Sequence, residues 1–314
     1  MKKLILVVLL IGIIPITSLI AKDWESIKKS GTLDVGLRDG SKFVYQSIDK
    51  DKSGMMHDMV KSFAKYYGLK MEIKTVPSFA QYWILNGEIL LKNNITQTPE
   101  IYNDIDIASE IFTVTKRREE LIHMSPYLDN VEIFFGKHDQ NIKSYKNLIG
   151  KRVLTYESMS FIKVILKELK SRNIPYTITY VNHKDDKLIL PKNHKINKNV
   201  VNIYLFPVDT KSDSSLIYHY IAKGESDVSI NDTISVMMSL FDNNYYSSQL
   251  RPYFPAQKNM TQLAWGSSTK NSVLNEKIKE FIKHDKLSGN FSKRLYKYTG
   301  MTLDEYNKLI NMIE

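Results

Sequence analysis

The charged run Lys116 to Glu120 contains two guanidinium groups, those of Arg117 and Arg118, that could bind a small anion. A planar guanidinium matches a carboxylate geometrically and can hold it by two parallel hydrogen bonds. The alternative is a solvated turn, in which the cations of this run pair with the neighbouring Glu119 and Glu120. The first interpretation predicts binding of a carboxylate, and the second predicts an ordinary surface.

Two further places combine charge with a position at the end of a predicted strand. Arg38 and Asp39 follow an alternating segment, and Asp232 follows Asn231 after a short apolar run. An aspartate in that context either binds a cationic group or serves as a turn residue or helix cap. If Arg38 and Arg118 lie near one ligand cleft, they favour a ligand with an additional anionic group, or a peptide-like ligand. The alternative is that Arg38 simply binds Asp39.

Groups for metal binding or covalent catalysis are scarce in this sequence. The chain has no cysteine, which excludes disulfides, zinc–cysteine sites, thiol catalysis and lipid attachment through cysteine. His57 and His123 have no partner at metal-ligand spacing, and there is no glycine-rich phosphate loop, His-Glu-x-x-His motif or serine triad. Glu157 and His57 are the only candidates for a general acid and base. We therefore expect no cofactor, no metal and no enzymatic activity.

Alternating and helical periodicities predict the elements that must position these side chains. Residues 32–37 and 69–73 alternate as strands around a helix over 55–67 that Gly68 ends, which is a β-α-β unit. A second unit and its continuation are predicted from strands at 152–156, 176–181, 200–206 and 227–230 and helices at 161–169 and 213–223. The pattern indicates two α/β lobes, with a ligand cleft at the carboxyl ends of the strands.

Three other segments complete the predicted organisation. Leu274, Ile278 and Phe281 give a terminal amphipathic helix that Asn271 or Ser272 can cap. Residues 93–104 and the lysine-rich residues 182–198 are polar, contain proline and are predicted loops.

The first 21 residues resemble an export signal. Lys2 and Lys3 precede an apolar run of about eleven residues, which is short for a membrane span, and Ala21 offers a cleavage point. The alternative is an uncleaved N-terminal anchor. Without these residues the chain keeps 42 basic against 34 acidic side chains, scattered as on a solvated surface, so we expect a periplasmic, exported protein that binds no nucleic acid.

Several segments resemble family 3 extracellular solute-binding proteins. The opening 24–37, the stretch 106–127 with its Thr113-x-Thr-x-x-Arg118 core and Ser-Pro-Tyr ending, and the segments 150–154 and 224–232 match that family in order and spacing. The likeness is strongest to the solute-binding-like domain of membrane-bound lytic transglycosylase F, through 35–38, 262–266 and 294–300. We expect no peptidoglycan cleavage, because no lysozyme-like catalytic domain follows Gly300.

The resemblance implies a type II periplasmic-binding-protein-like fold, an α/β fold with two lobes and two hinge crossings. It places a signal peptide at 1–21, lobe 1 at 22–130, lobe 2 at 131–257, and the return to lobe 1 with the C-terminal helices at 258–314.

The resemblance also implies roles for particular residues. Arg118 would hold a ligand α-carboxylate, Asp232 its α-ammonium, and Thr113 would bond the ligand through its hydroxyl. Ser160 would donate from across the cleft, although Ser158 and Met159 replace the family's Gly-Thr. Arg38, Asp39 and Phe43 complete the expected binding residues, and Phe43 and Phe161 either stack on a ligand or belong to the core.

The function that follows is a monomeric periplasmic binding protein for an amino acid or short peptide-like ligand. Its partner would be the inner-membrane permease of an ABC-type transporter. One alternative is a sensor of cell-wall fragments (muropeptides) related to transglycosylase F. A less favoured alternative is a dehydratase-type enzyme on the same fold.

Overall fold

A computed structural model describes residues 22–39, 44, 54–157, 161–184, 187–206 and 215–311. Its helices are α1 (Trp24–Ser30), α2 (Met55–Tyr66), α3 (Lys116–Glu119), α4 (Phe161–Ser171), α5 (Ser215–Lys223), α6 (Thr233–Asp242), α7 (Asn244–Gln249), α8 (Ser272–Leu287), α9 (Asn290–Thr299) and α10 (Leu303–Asn311). Short 3₁₀ helices cover Phe79–Trp83, Leu90–Lys92, Glu100–Asn103 and Tyr145–Leu148. Within these described ranges, no helix combines the length and apolar character needed to cross a bilayer.

The strands form two principal sheets and two small hairpins. They are β1 (Thr32–Arg38), β2 (Lys70–Val76), β3 (Ile84–Leu85), β4 (Glu88–Ile89), β5 (Ile107–Thr113), β6 (His123–Asn130), β7 (Glu132–Lys137), β8 (Arg152–Tyr156), β9 (Tyr176–Tyr180), β10 (Asn182–Lys184), β11 (Lys187–Ile189), β12 (Val201–Phe206), β13 (Val228–Asp232), β14 (Leu250–Pro255) and β15 (Thr261–Ser267).

The first sheet has the order β2-β1-β5-β15-β6 and is the frame of the first lobe. Strands β1, β2 and β5 are parallel, whereas β15 runs antiparallel to both its neighbours. One face packs with α1, α2, α8 and α9 around an apolar cluster that includes Phe63, Trp265 and Phe281, and the other face packs under residues 79–105. Because the parallel strands end together, Arg38 and Thr113 lie at the same edge of this sheet.

The second sheet has the order β14-β7-β13-β8-β12-β9 and forms the second lobe. Strands β13, β8, β12 and β9 are parallel, and β7 and β14 are antiparallel additions at one side. Two apolar clusters cover its faces, one with α5 and the other with α4. The carboxyl end of β13 is Asp232, so this sheet also presents a charged residue at its strand ends.

The predicted β-α-β units are confirmed. β1 and β2 pair in parallel register through α2, and Gly68 has the left-handed backbone (φ +68°) that ends such a helix without a steric penalty. β8, α4 and β9 form the second unit, with β12 between the two strands. Asn271 caps α8 by accepting a hydrogen bond from the Leu274 amide at 3.1 Å.

Two loop predictions were incomplete. Residues 182–198 contain the hairpin β10–β11, in which Leu188 packs against the second-lobe core and its amide donates to the carboxylate of Glu225. Residues 93–104 include the 3₁₀ helix Glu100–Asn103, whose Tyr102 is fully buried. Both segments depend on contacts with distant residues, which a polar local composition does not reveal.

Candidate functional site

Arg118 is positioned by the short helix that follows β5. Thr115 caps α3 by accepting from the Arg118 amide at 3.3 Å, and the turn brings the side chain back toward the strand end. Its Nη1 donates to the carbonyl oxygen of Thr113 at 2.7 Å. The guanidinium carbon lies 5.3 Å from the ring centroid of Phe79 and 5.2 Å from that of Trp83. Two aromatic faces and one carbonyl therefore hold the cation in place.

The guanidinium of Arg118 is poorly neutralised within its own lobe. Among the described residues, the carbonyl of Thr113 is its only hydrogen-bond acceptor. Burial lowers the pKa of Arg118 from its usual value, and the charge of Asp232, more than that of Glu110, opposes this effect. The strongest compensating charge thus belongs to a residue of the second sheet.

Asp232 lies at the end of β13, on the residue before α6. Asn130 donates from its side-chain amide to Oδ1 at 2.7 Å, and Asn231 accepts the Asp232 amide hydrogen at 2.9 Å. Burial raises the pKa of Asp232 to about 7, and the carboxylate of Glu132 adds to this, while Asn130 and Arg118 oppose it. Asp232 occupies the N-cap position of α6, as the cap interpretation predicts, but its carboxylate makes no capping hydrogen bond to that helix.

Arg38 forms a two-pronged ion pair that the sequence did not indicate. Its Nε donates to Oε2 of Glu110 at 2.8 Å and its Nη2 donates to Oε1 at 3.2 Å. Burial disfavours the Arg38 charge, but the Glu110 carboxylate outweighs this effect and the pKa of Arg38 is raised. The alternative in which Arg38 binds Asp39 is therefore replaced by a pair with Glu110. The amide of Asp39 donates to the carbonyl of Val76.

Buried polar aromatic side chains lie beneath the two arginines. The hydroxyls of Tyr82 and Tyr102 and the indole N–H of Trp83 have no hydrogen-bond partner among the described residues. Burial, followed by the Glu110 charge, raises the pKa of Tyr82 well above its usual value. Burial also raises the pKa of Tyr102, which Arg118 opposes. These phenols stay neutral, so the charge of the region resides on the arginines and Glu110.

The neighbouring Arg117 has a structural position. Its guanidinium donates to the carbonyls of Leu90 and Ile95, both at 2.7 Å, and to Glu120 at 2.9 Å. The solvated-turn interpretation of the run 116–120 holds for the Arg117–Glu120 pair only, because the other two hydrogen bonds of Arg117 go to backbone carbonyls outside the run.

The remaining candidate residues have separate outcomes. Phe43 and Ser160 lie outside the described residues, and their predicted roles stay predictions. Phe161 packs in the core of the second lobe. In the structure, Thr113 contacts Arg118 through its backbone carbonyl oxygen. Binding of a ligand through the Thr113 hydroxyl stays a prediction.

The two residues considered for acid–base catalysis lie in different lobes. His57 is in the first turn of α2, where Nδ1 is 3.4 Å from Oδ1 of Asp58. Glu157 follows β8 and its amide donates to Phe206. Burial lowers the pKa of His123. Within the part of the chain that the structure describes, no three His, Asp or Glu side chains are grouped as a metal site.

Two lobes, each presenting charge at the carboxyl ends of its parallel strands, define the fold class. It is the mixed α/β, two-lobed fold of type II periplasmic binding proteins. Neither the protein-family models nor the curated protein sequences contain a match to this chain.

Solved structures of this fold match nearly the whole chain. YckB of Bacillus subtilis is 18% identical with a TM-score of 0.59 over 89% of this chain and 94% of its own. AbpA of Streptococcus pneumoniae, an amino acid ABC transporter substrate-binding protein bound to L-arginine, is 17% identical with a TM-score of 0.56, over 88% and 98%. A mutant of the arginine-binding protein of T. maritima is 16% identical with a TM-score of 0.54, over 87% and 97%.

Sequence reasoning missed five residues of the site: Glu110, Phe79, Trp83, Asn130 and Glu132. Glu110 lies within the stretch 106–127, yet a glutamate in a strand is not informative until its partner is known. Phe79 and Trp83 lie in a 3₁₀ helix without apolar periodicity. The one available signal was a glutamate within an otherwise apolar predicted strand, since a carboxylate in such a position needs a partner if it is buried.

Proposed function

We propose that this chain is an exported, non-enzymatic solute-binding protein that captures an amino acid or short peptide-like ligand between its lobes. It acts as a monomer and delivers the ligand to the inner-membrane permease of an ABC-type transporter. Residues 1–21 serve as the export signal, and lobe 1 (22–130 and 258–314) joins lobe 2 (131–257) through crossings near 130 and 257.

The opposed charges of Arg118 and Asp232 are the observation that carries this proposal. Each is held in place by neighbouring groups, and each lies in surroundings that disfavour its charge. An α-amino acid brings a carboxylate for Arg118 and an ammonium for Asp232. One ligand then neutralises both lobes, so binding favours the closed arrangement of the two.

A second candidate function keeps the same cleft and changes the ligand to a muropeptide. It is supported by the resemblance of 35–38 and 294–300 to transglycosylase F, and by the partly exposed Arg38 in the first of these segments. Peptides of the cell wall carry several carboxylates, and a cleft with two arginines suits them. The role would then be sensing of wall turnover.

A thermal-shift screen of the purified protein tests both candidates. The panel contains the common amino acids, short peptides, muropeptides and cyclic acids. A ligand at a hundred times its dissociation constant stabilises the fold by about 2.7 kcal/mol, which is a measurable shift in Tm. We expect an amino acid or peptide to stabilise the protein, with the loss of the shift in Arg118→Ala.

Arg172→Ala is the matched control, since Arg172 pairs with Glu168 on the surface of α4. It keeps the ligand-induced shift if the proposal is right. A shift that survives in Arg118→Ala, or a panel in which no compound stabilises the protein, contradicts the proposed cleft. Stabilisation by muropeptides alone selects the second candidate.

A further inference from the structure

The register of the first sheet places Arg38 and Glu110 side by side. Val35 pairs with Ile107 and Gly36 with Ala108 in the parallel β1–β5 ladder. Continuing this register by two residues from the second pair brings Arg38 opposite Glu110. Both point to the face covered by residues 79–105, since a Cβ on Gly36 would meet Ile105 at 2.7 Å on that face. The pair is therefore built by the sheet itself.

The carboxylate of Glu110 is fully engaged within the protein. Glu110 is 0% exposed, its Oε2 accepts from Arg38 Nε, and its Oε1 accepts from Arg38 Nη2 and from the Ile111 amide at 2.9 Å. A cationic group that enters the cleft finds no free carboxylate here. It would meet the positive edge of Arg38 instead.

Arg38 keeps donors available on the side away from Glu110. Its Nη1 has no acceptor among the described residues, and its side chain is 30% exposed. The two bonds to Glu110 fix the guanidinium plane, so little rotamer freedom is lost when a ligand binds to the outer edge. Glu110 lies on β5 three residues before Thr113, whose carbonyl oxygen accepts from Arg118 at 2.7 Å, so both arginines lie near the same end of the sheet.

We propose that the Arg38–Glu110 pair determines specificity, so that the cleft selects an α-amino acid with a second carboxylate and rejects one with a cationic side chain. This inference rests on the proposed function, in which Arg118 and Asp232 hold the α-carboxylate and α-ammonium. Arg38 then receives the second carboxylate through Nη1. The chain would differ in this respect from AbpA, whose structure holds L-arginine.

Isothermal titration calorimetry of the purified protein tests the preference directly. The probes are L-glutamate, L-aspartate, L-glutamine, L-arginine and L-lysine. We expect one of the dicarboxylic amino acids to bind at least about tenfold more tightly than glutamine, since one charge-assisted hydrogen bond is at stake, and no detectable binding of arginine or lysine.

Two variants separate the charge of Arg38 from its role in folding. Arg38→Ala uncovers the Glu110 carboxylate, and we expect the preference to reverse toward arginine or lysine. Arg38→Gln combined with Glu110→Gln removes both charges together, which avoids an unpaired buried carboxylate. This double variant should lose the acidic preference by about tenfold and gain no cationic ligand.

Arg152→Ala is the matched control. Arg152 forms the same kind of two-pronged pair, with Nε 3.0 Å from Oδ2 and Nη2 2.8 Å from Oδ1 of Asp227, but it lies at the amino end of β8, away from the cleft. It should leave the ligand preference unchanged.

The outcomes distinguish this inference from the proposed function. Binding of arginine by the unmodified protein, tight binding of neutral amino acids alone, or an unchanged preference in the double variant overturns the specificity proposal and leaves the solute-binding function intact. Failure of every amino acid, peptide and muropeptide to bind overturns the proposed function, and the specificity proposal with it.

Discussion

Arg294 and Arg118 lie on opposite sides of the first sheet, Arg294 among α2, α8 and α9 and Arg118 beside residues 79–83, and they meet different electrostatic surroundings. Arg294 donates to Asp285 at 2.7 Å and to Ser62 at 2.9 Å, and the side chains of the ion pair are only 9% and 2% exposed. Arg118 has a carbonyl, two ring faces and the charge of a carboxylate in the other lobe. A cation neutralised within one core stabilises the architecture, whereas a cation that depends on another lobe is available for a ligand.

The largest expected effect is a loss of stability when the Arg294–Asp285 ion pair is broken. Arg294→Met leaves the Asp285 carboxylate buried without its counter-charge, and we expect the free energy of unfolding to fall by about 3 kcal/mol. Urea denaturation monitored by circular dichroism measures this. Lys70→Met, which breaks an exposed pair with Glu72 on β2, should cost less than about 0.5 kcal/mol. Equal losses in the two variants would show that the Arg294 pair is no more stabilising than a surface pair.

The second largest expected effect is a pH dependence of stability that originates from Asp232. The pKa of Asp232 is raised to about 7 by burial and by Glu132, so the folded protein favours the protonated carboxyl. The native state then binds more protons than the unfolded state between pH 4 and 7, and the stability of the ligand-free protein should fall as the pH rises through that range.

Asp232→Asn isolates this contribution, because it removes the titration and keeps the shape of the side chain. Relative to the variant, the unmodified protein should lose stability on the order of 2 kcal/mol between pH 4 and 7. Asp106 also has a raised pKa and acts equally in both proteins, whereas Glu132 is coupled to Asp232, so the difference between the two profiles reports on this pair of carboxyls. Parallel stability profiles for the two proteins would mean that Asp232 is ionised throughout.

A smaller effect is expected from the ring faces that hold Arg118. Phe79→Leu removes one of two cation–π contacts and loosens the guanidinium, and we expect ligand affinity to fall by about three- to fivefold. Calorimetric titration with the ligand from the screen measures it. Tyr253→Leu removes a comparable contact with Arg251, on β14, and should leave affinity unchanged. An unaltered affinity in Phe79→Leu would mean that Trp83 alone orients the arginine.

The difference between the two arginines also explains how far the sequence could predict the molecule. The β-α-β units around α2 and α4 follow from local periodicity, and Arg118 follows from its motif. Arg294 belonged to a matched segment, but its pairing with Asp285 and Ser62 depends on how α9 packs against α8 and α2. The Glu110 pair likewise joins residues 72 positions apart, and only the strand register brings them together.

The smallest expected change in stability is the sharpest test of the comparison. Arg118→Met removes a cation that is destabilised by burial. The variant loses the contacts with the two rings, but it no longer has the free-energy cost of desolvating a guanidinium, and the two effects offset each other. Without Arg118 the pKa of Asp232 rises further, and that carboxyl takes up a proton at little cost. We expect the free energy of unfolding of the ligand-free protein to change by less than about 0.5 kcal/mol, while ligand binding is lost.

The same urea titration used for Arg294→Met measures this change in the free energy of unfolding. A loss near 3 kcal/mol would place Arg118 with Arg294, as a structural cation, and would remove the main support for a binding cleft between the lobes.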